Sequence, residues 1–304
     1  MMPVARTDDC EPEFDPTADY ANADGSADSC IPLRRWPSER PLRFVVILVA
    51  LLLWPVIAHS TIGLVYAIGF GIFFFLTHLA FIAHLRGSAV RLGPEQLPDL
   101  YRRVEELSAQ VGMEPPAAYL MQAGGTLNAL ATRFLGSDFI VLYSDLLESC
   151  GDNAAARDFI IAHELGHLRA GHLRWRWLLV PGLAVPFLGS AYSRACERTC
   201  DRLGFDASAD PQQALDGLCI LAAGAREGRR INRRALVAQR DDLKTGWMRI
   251  GRWLSSHPPI AERLAVLDPS LDPDATTDRA RGGLAVALVG LVYVVALAVI
   301  VAMH

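Results

Sequence analysis

The chain has 304 residues, 52% of them hydrophobic and 20% charged, with a formal net charge of −4 and a mean hydropathy of +0.24. A charge this small and mixed in sign excludes the concentrated basic face that nucleic acid requires, and the length allows one domain of about 150–200 residues plus accessory segments. Six cysteines without the spacing of a disulfide framework predict free thiols in a reducing compartment.

In chain order, residues 1–38 open with acidic and polar positions such as Asp8, Asp9, Glu11, Glu13, Asp15 and Asp19. Such a composition cannot bury a core, and it predicts a disordered tail, not a cleaved leader. From Phe44 to Ala83 the sequence is almost continuously apolar, too long for one span. Two membrane helices are predicted, about 42–58 and 62–83, joined by a tight turn at His59-Ser60-Thr61. Arg34, Arg35, Arg40 and Arg43 precede the first span, Arg86 and Arg91 follow the second, and the turn carries no Lys or Arg. Arg279 and Arg281 precede a third apolar run, read as a C-terminal membrane helix over 283–303. Because cationic flanks stay cytoplasmic, residues 90–272 are predicted to form a domain on that side, with the lipid bilayer as a partner.

Within that domain, Leu100, Val104, Leu107 and Val111 recur at helical spacing and predict a helix over 96–111. Ala117 to Met121 and Phe139 to Tyr143, set apart by Gly124-Gly125 and Gly136, predict strands of a small sheet. Asp152 or Asn153 caps the following helix, and Asp210-Pro211 and His257-Pro258 read as helix starts. The fold class is mainly α with a small β-sheet.

The chemistry concentrates in His163-Glu164-Leu165-Gly166-His167. Positions four apart share a helix face, so His163 and His167 can offer two imidazole nitrogens to one metal ion, with Glu164 beside them to take a proton from activated water. A third ligand is needed. Glu197 and Asp201 stand four apart on a second predicted helix: Glu197 completes a His2Glu set for one zinc ion per chain, and Asp201 accepts a hydrogen bond from a ligand imidazole. The competing reading pairs both carboxylates with Arg194 or Arg198 on a solvated face. A metzincin would need glycine and histidine where Ala170 and Leu173 stand, and His172, five residues past His167, falls off the ligand face. Cys196 and Cys200 read as small packed side chains. Trp177 to Leu188, broken by Pro181, Gly182 and Pro186, is short for a span; it reads equally as a segment dipping into the membrane surface or as a buried loop over the site.

Together with Asn128-Ala129-Leu130-Ala131-Thr132, Phe139 to Leu147, His163 to His172, Arg194 to Asp201, and Ser256-His257-Pro258-Pro259 followed by Glu262-Arg263-Leu264, this pattern resembles the M48 peptidases, the family of the bacterial membrane protease HtpX and the CAAX prenyl-protein peptidases. The resemblance covers roughly residues 90 to 270. It implies a zincin-like (gluzincin) domain that hydrolyses polypeptides, cleaving membrane or misfolded proteins at the cytoplasmic face of a bacterial inner membrane. Glu164 would be the general base. The Phe139 to Tyr143 strand would pair with substrate if it lies at a sheet edge. Asn128 either helps hold the peptide or satisfies local backbone groups. His257 either donates to the oxyanion or is a structural helix-start residue, and Arg263 reads equally as a packing partner. The metal helix and the Glu197 helix are not separated by clear spans, a departure from the HtpX layout. Cys200-Asp201 also resembles BlaR-type sensor peptidases, which implies a processing protease. A zinc-stabilised scaffold without turnover is the non-enzyme alternative, and the presence of Glu164 argues against it. Oligomeric state has no signal in the sequence.

Overall fold

The computed structural model describes residues 30–122, 124 and 128–272. Two apolar helices come first, α1 (Glu39–His59) and α2 (Thr61–Ser88), joined through Ser60 alone, whose hydroxyl oxygen accepts the Gly63 N–H. Both are long and apolar enough to cross a membrane. They run beyond the predicted 42–58 and 62–83, mostly at the C-terminal end of α2. Its 28 residues rise about 42 Å against about 30 Å of hydrocarbon. The surplus turns carry Ile82 and Leu85 onto the sheet. Earlier in α2, Ile62, Tyr66, Phe70 and Phe73 are exposed and make a continuous apolar surface.

The predicted 283–303 helix and residues 1–29 of the predicted tail lie outside the described residues. Residues 30–38, assigned to that tail, are instead packed. Ile31 N–H donates to Gln110 O at 2.7 Å, Arg34 pairs with Asp206 at 2.7 Å, and Trp36 is buried. The acidic stretch ends at Asp28, and the apolar Ile31, Leu33 and Trp36 beyond it find partners.

The sheet has four strands, β1 (Val90–Arg91), β2 (Ala117–Met121), β3 (Ala129–Phe134) and β4 (Ser137–Tyr143), in the order β1-β2-β4-β3. β2 and β4 run parallel, and the outer pairs are antiparallel. β3 and β4 meet at Leu135-Gly136, both at positive φ (48° and 88°), the two-residue turn whose twist matches a hairpin. The Phe139-Ile140-Val141-Leu142 run is continuously apolar because both faces of β4 are covered. Ile140 and Leu142 enter the main core with Val104 and Leu107 of α3 (Pro98–Gln110), while Phe139 and Val141 meet Ile82 and Leu85 of α2. β4 therefore lies inside the sheet, and the Phe139 to Tyr143 strand has no free edge for a substrate. The edge on that side is β3.

The rest is helical: α4 (Ser144–Cys150), α5 (Ala154–Arg169), α6 (Arg176–Leu183), α7 (Leu188–Asp206), α8 (Pro211–Gly228), α9 (Arg233–Ala238), α10 (Gly246–Leu254) and α11 (Ile260–Leu267). Asn153 caps α5 by accepting the Ala156 N–H at 2.9 Å, and Asp210 caps α8. α11 begins three residues after His257, which sits on the strap ahead of it. The Trp177 to Leu188 run is not a loop over the site. Its first half is α6, packed along α1 with Trp54 Nε1 donating to Leu178 O at 2.8 Å.

α5 and α7 form the pair that matters for chemistry. Each contributes a glycine to the contact. A Cβ on Gly166 would sit 3.2 Å from Cys200 Cα, and one on Gly204 would sit 2.6 Å from Phe159 O and 3.3 Å from His163 N. Only hydrogen fits at Gly204, so the two helices approach closely enough for their polar side chains to meet.

Candidate metal centre and its cleft

His163 and His167 project from one face of α5 toward α7. Both Nε2 atoms reach the Glu197 carboxylate, His163 Nε2 at 3.4 Å from Oε2 and His167 Nε2 at 3.4 Å from Oε1. One ligand atom from each of these three residues lies within 4.8 Å of the others. Burial would push the Glu197 carboxyl up, but hydrogen bonds from the two imidazoles hold it far below the usual carboxylate range. Burial likewise opposes protonation of His163, yet Asp201 and Glu197 outweigh it and raise its pKa to about 10. The two carboxylates thus favour positive charge at this position.

Each imidazole has a polar neighbour behind it. His163 Nδ1 lies 3.0 Å from Asp201 Oδ1. Asp201 is in turn gripped by Arg263 of α11, Nε donating to Oδ2 at 2.9 Å and Nη2 to Oδ1 at 2.5 Å. Burial pushes the Asp201 carboxyl up, and Arg263 and His163 more than reverse it. The reading of Arg263 as a mere packing partner gives way to a bidentate ion pair. Arg194 and Arg198 do not take up Glu197 or Asp201: Arg194 donates to the carbonyls of Trp253 and Ser255 at 2.7 and 2.5 Å, and Arg198 to Glu262 at 3.2 Å.

His167 is supported by a residue that helical register discounted. α5 ends at Arg169 and the chain turns back, which brings His172 Nδ1 to 3.1 Å from His167 Nδ1. On its other side His172 Nε2 lies 3.2 Å from Glu39 Oε1, at the start of α1. Glu39 also accepts from Thr199 and Arg35 and is fully buried. Burial holds His172 below the usual histidine range, so it is the neutral tautomer that links the two partners. Nothing local in the sequence announces Glu39, which lies 133 residues from His172.

Among the described residues, two other groups have donor atoms close enough to share a metal, His167 with His172 and Cys200, and Glu39 with His172 and Cys196. They fit less well. Burial pushes the Cys200 and Cys196 thiols well up, and a metal ligand must be the thiolate. The two imidazoles and the Glu197 carboxylate have the donor chemistry of a His2Glu site, with both outer partners in place.

Glu164 faces the same cavity, a space of about 290 Å³ lined in part by Ala131, His163, Glu164, Arg176, Glu197 and His257. Its Oε2 accepts the Ala131 N–H of β3 at 2.7 Å. Burial raises its pKa above that of a free glutamate, against the pull of His163 and His167. His257 lies at the mouth, two-thirds exposed, with Nε2 3.6 Å from Glu197 Oε1 and Nδ1 3.0 Å from Ser256 Oγ. Asn128 lines the cavity, but its Oδ1 is engaged locally by the Ala129 N–H at 2.9 Å.

The sequence pattern of Peptidase family M48 matches residues 94–186 and 177–270. A plastoglobule-localized metallopeptidase 48, chloroplastic, of Arabidopsis thaliana is 29% identical over 154 residues, 45% of this chain and 44% of that protein, so the chain spans less than half of that relative's length. No solved structure matches the chain.

Proposed function

The chain belongs to peptidase family M48, whose members are metal-dependent peptide hydrolases, and on that footing we propose that it is a membrane-anchored zinc endopeptidase cleaving membrane or misfolded proteins at the cytoplasmic face. The observation that carries this reading is the convergence of both Nε2 atoms on Glu197 while each Nδ1 is turned to a fixed partner, with Glu164 on the same cavity. His163, His167 and Glu197 would hold a zinc ion, which would supply Lewis acidity and lower the pKa of a water toward about 7.

The chain's own groups do the rest. Glu164, its Oε2 anchored on Ala131, uses Oε1 to take the proton of the attacking water and later returns it to the leaving amine. A carboxylate whose pKa is raised by burial is the better base for that transfer. Asp201 and His172 hold the two imidazoles in the tautomers that leave Nε2 free. His257, beside Glu197 at the cavity mouth, donates to the developing oxyanion. An extended peptide lies along the β3 edge, where main-chain pairing gives affinity with little side-chain preference. Two apolar helices and the arginines flanking them support the anchored, cytoplasm-facing arrangement.

The test is cleavage of casein by the purified full chain, wild type against Glu164→Gln, with zinc measured in both. We expect one zinc per chain in each and turnover lower by about 10²–10⁴-fold in the variant. Equal turnover sinks the reading and leaves the scaffold alternative standing.

A further inference from the structure

α10, GWMRIGRWL, is packed with its polarity reversed. A surface helix of a water-soluble domain turns its apolar stripe to the core. Here no residue is buried: Trp247 is 81% exposed, Met248 55%, Leu254 50% and Trp253 39%. The two partly covered side chains are Ile250 and Arg252, and Arg252 Nη1 donates to Glu262 Oε1 of α11 at 2.9 Å. Ser190 holds the Leu254 carbonyl at 2.8 Å and Arg194 holds that of Trp253, so the helix is pinned in this orientation and is not free to roll. In water the arrangement leaves two tryptophans, a methionine and a leucine unsheltered while an arginine is drawn in.

The exposed face does not stand alone. Trp253 meets Phe187 edge-on with ring centroids 6.4 Å apart, just beyond the end of α6. α6 itself exposes Trp177, Leu178 and Val180. The Trp177 ring lies 6.2 Å from Phe74 of α2. One apolar surface therefore continues from α2, across α6, to α10.

We propose that α10 is an interfacial helix lying in the headgroup region of the same bilayer that α1 and α2 cross, with α6 completing the contact; this rests on the anchored reading above. Tryptophan is the residue that such an interface favours, its ring apolar and its N–H wet. Arg249, stacked 5.5 Å over the Trp253 ring, has the reach to lay its stem on the apolar face and keep its charge among headgroups. Continuity with the hairpin favours the bilayer as occupant over a soluble protein. The strap from Ser255 to His257 follows α10 directly, so lipid contact by α10 would hold the mouth of the cleft, already lined by His257, close to the membrane surface.

The test labels single cysteines with an NBD fluorophore in the full chain carrying Cys10→Ser and Cys30→Ser, reconstituted in phosphatidylcholine/phosphatidylglycerol vesicles containing doxyl-lipid quencher. Trp247→Cys probes α10, Phe73→Cys reports the hairpin, and Arg226→Cys, 92% exposed on α8, is the aqueous control. We expect the label at 247 to be quenched at least half as strongly as the label at 73, with the label at 226 unquenched. Quenching at 73 but not at 247 overturns the inference and leaves the anchored reading intact; this includes a label at 247 shielded by a protein partner or a second copy. No quenching at 73 overturns both. As a functional readout, the double variant Trp247→Glu, Met248→Glu should cleave a bilayer-tethered substrate at least fivefold more slowly and a soluble peptide at the wild-type rate. Unchanged cleavage of the tethered substrate also overturns it.

Discussion

Arg263→Met removes the cation from a buried pair while keeping the length of the side chain. Asp201, 1% exposed, would then hold a carboxylate against His163 with no guanidinium behind it. Removing one partner of a buried, hydrogen-bonded pair costs about 3–5 kcal/mol, because the other charge is left uncompensated. At about 2–4 °C per kcal/mol for a domain of this size, the melting midpoint of the metal-free protein should fall by about 6–20 °C. The pH dependence has a definite sign. Asp201 has a folded pKa depressed by Arg263, so its contribution is present above the unfolded value of about 3.9 and is lost as pH falls through the folded one. The deficit of Arg263→Met should therefore be full at pH 7 and narrow as the solution is acidified below about pH 4. Adding Asp201→Asn removes the orphaned charge, and the double variant should recover part of the loss. Thermal melts followed by tryptophan fluorescence across pH measure all three proteins. A midpoint for Arg263→Met within about 2 °C of wild type at pH 7, under 1 kcal/mol by the same conversion, would refute the buried-pair argument.

Three further outcomes are expected. His172→Phe unhooks His167 from Glu39 and should lower zinc affinity by about 10–100-fold in a chelator competition, the usual effect of losing the partner of a ligand imidazole. Gly182→Ala would put a Cβ 2.3 Å from Val46 O, forcing α6 off α1; overpacking of this kind costs about 1–3 kcal/mol, read as a lower melting midpoint. Burial pushes the Cys150 thiol up to about 11 and Cys200 well above its ordinary value. Iodoacetamide at pH 8 should therefore leave Cys150, Cys196, Cys200 and Cys219 unmodified in the native protein and alkylate them after denaturation, as mass mapping will show.

The parts of this structure that were legible from sequence are those set by local rules. The helical face shared by His163 and His167, the matching face of Glu197 and Asp201, and the Asn153 and Asp210 caps depend only on residues three or four apart, and the structure brings each set together. Strand β2 falls on its predicted residues for the same reason. What escaped depends on topology. β3 carries Thr132 and Arg133 and gives no clean alternation, and without it β4 could be taken for an edge. α6 was hidden by Pro181 and Gly182, because a segment that looks broken in isolation is held here by α1. His172 was discounted by extending the register of α5 past its end. Arg263 and Glu39 reach the site from 62 and 133 residues away, and no spacing rule operates over such distances.

The burial of Glu39 has a consequence for anyone seeking to excise a soluble fragment. A cut at residue 90 looks natural, since it falls where the apolar helices end. It would nonetheless take away Glu39, Arg35 and Trp36 together. Thr199, which accepts the Trp36 N–H at 2.8 Å and donates to Glu39, would lose both of these partners, and His172 Nε2 would lose Glu39, all in the protein interior. Each stranded polar group costs about 1–3 kcal/mol, and the exposed flank of α7 would add to it. The segment ahead of residue 90 is thus a structural member of the domain, and a shortened chain should be judged by whether it still begins before Arg34.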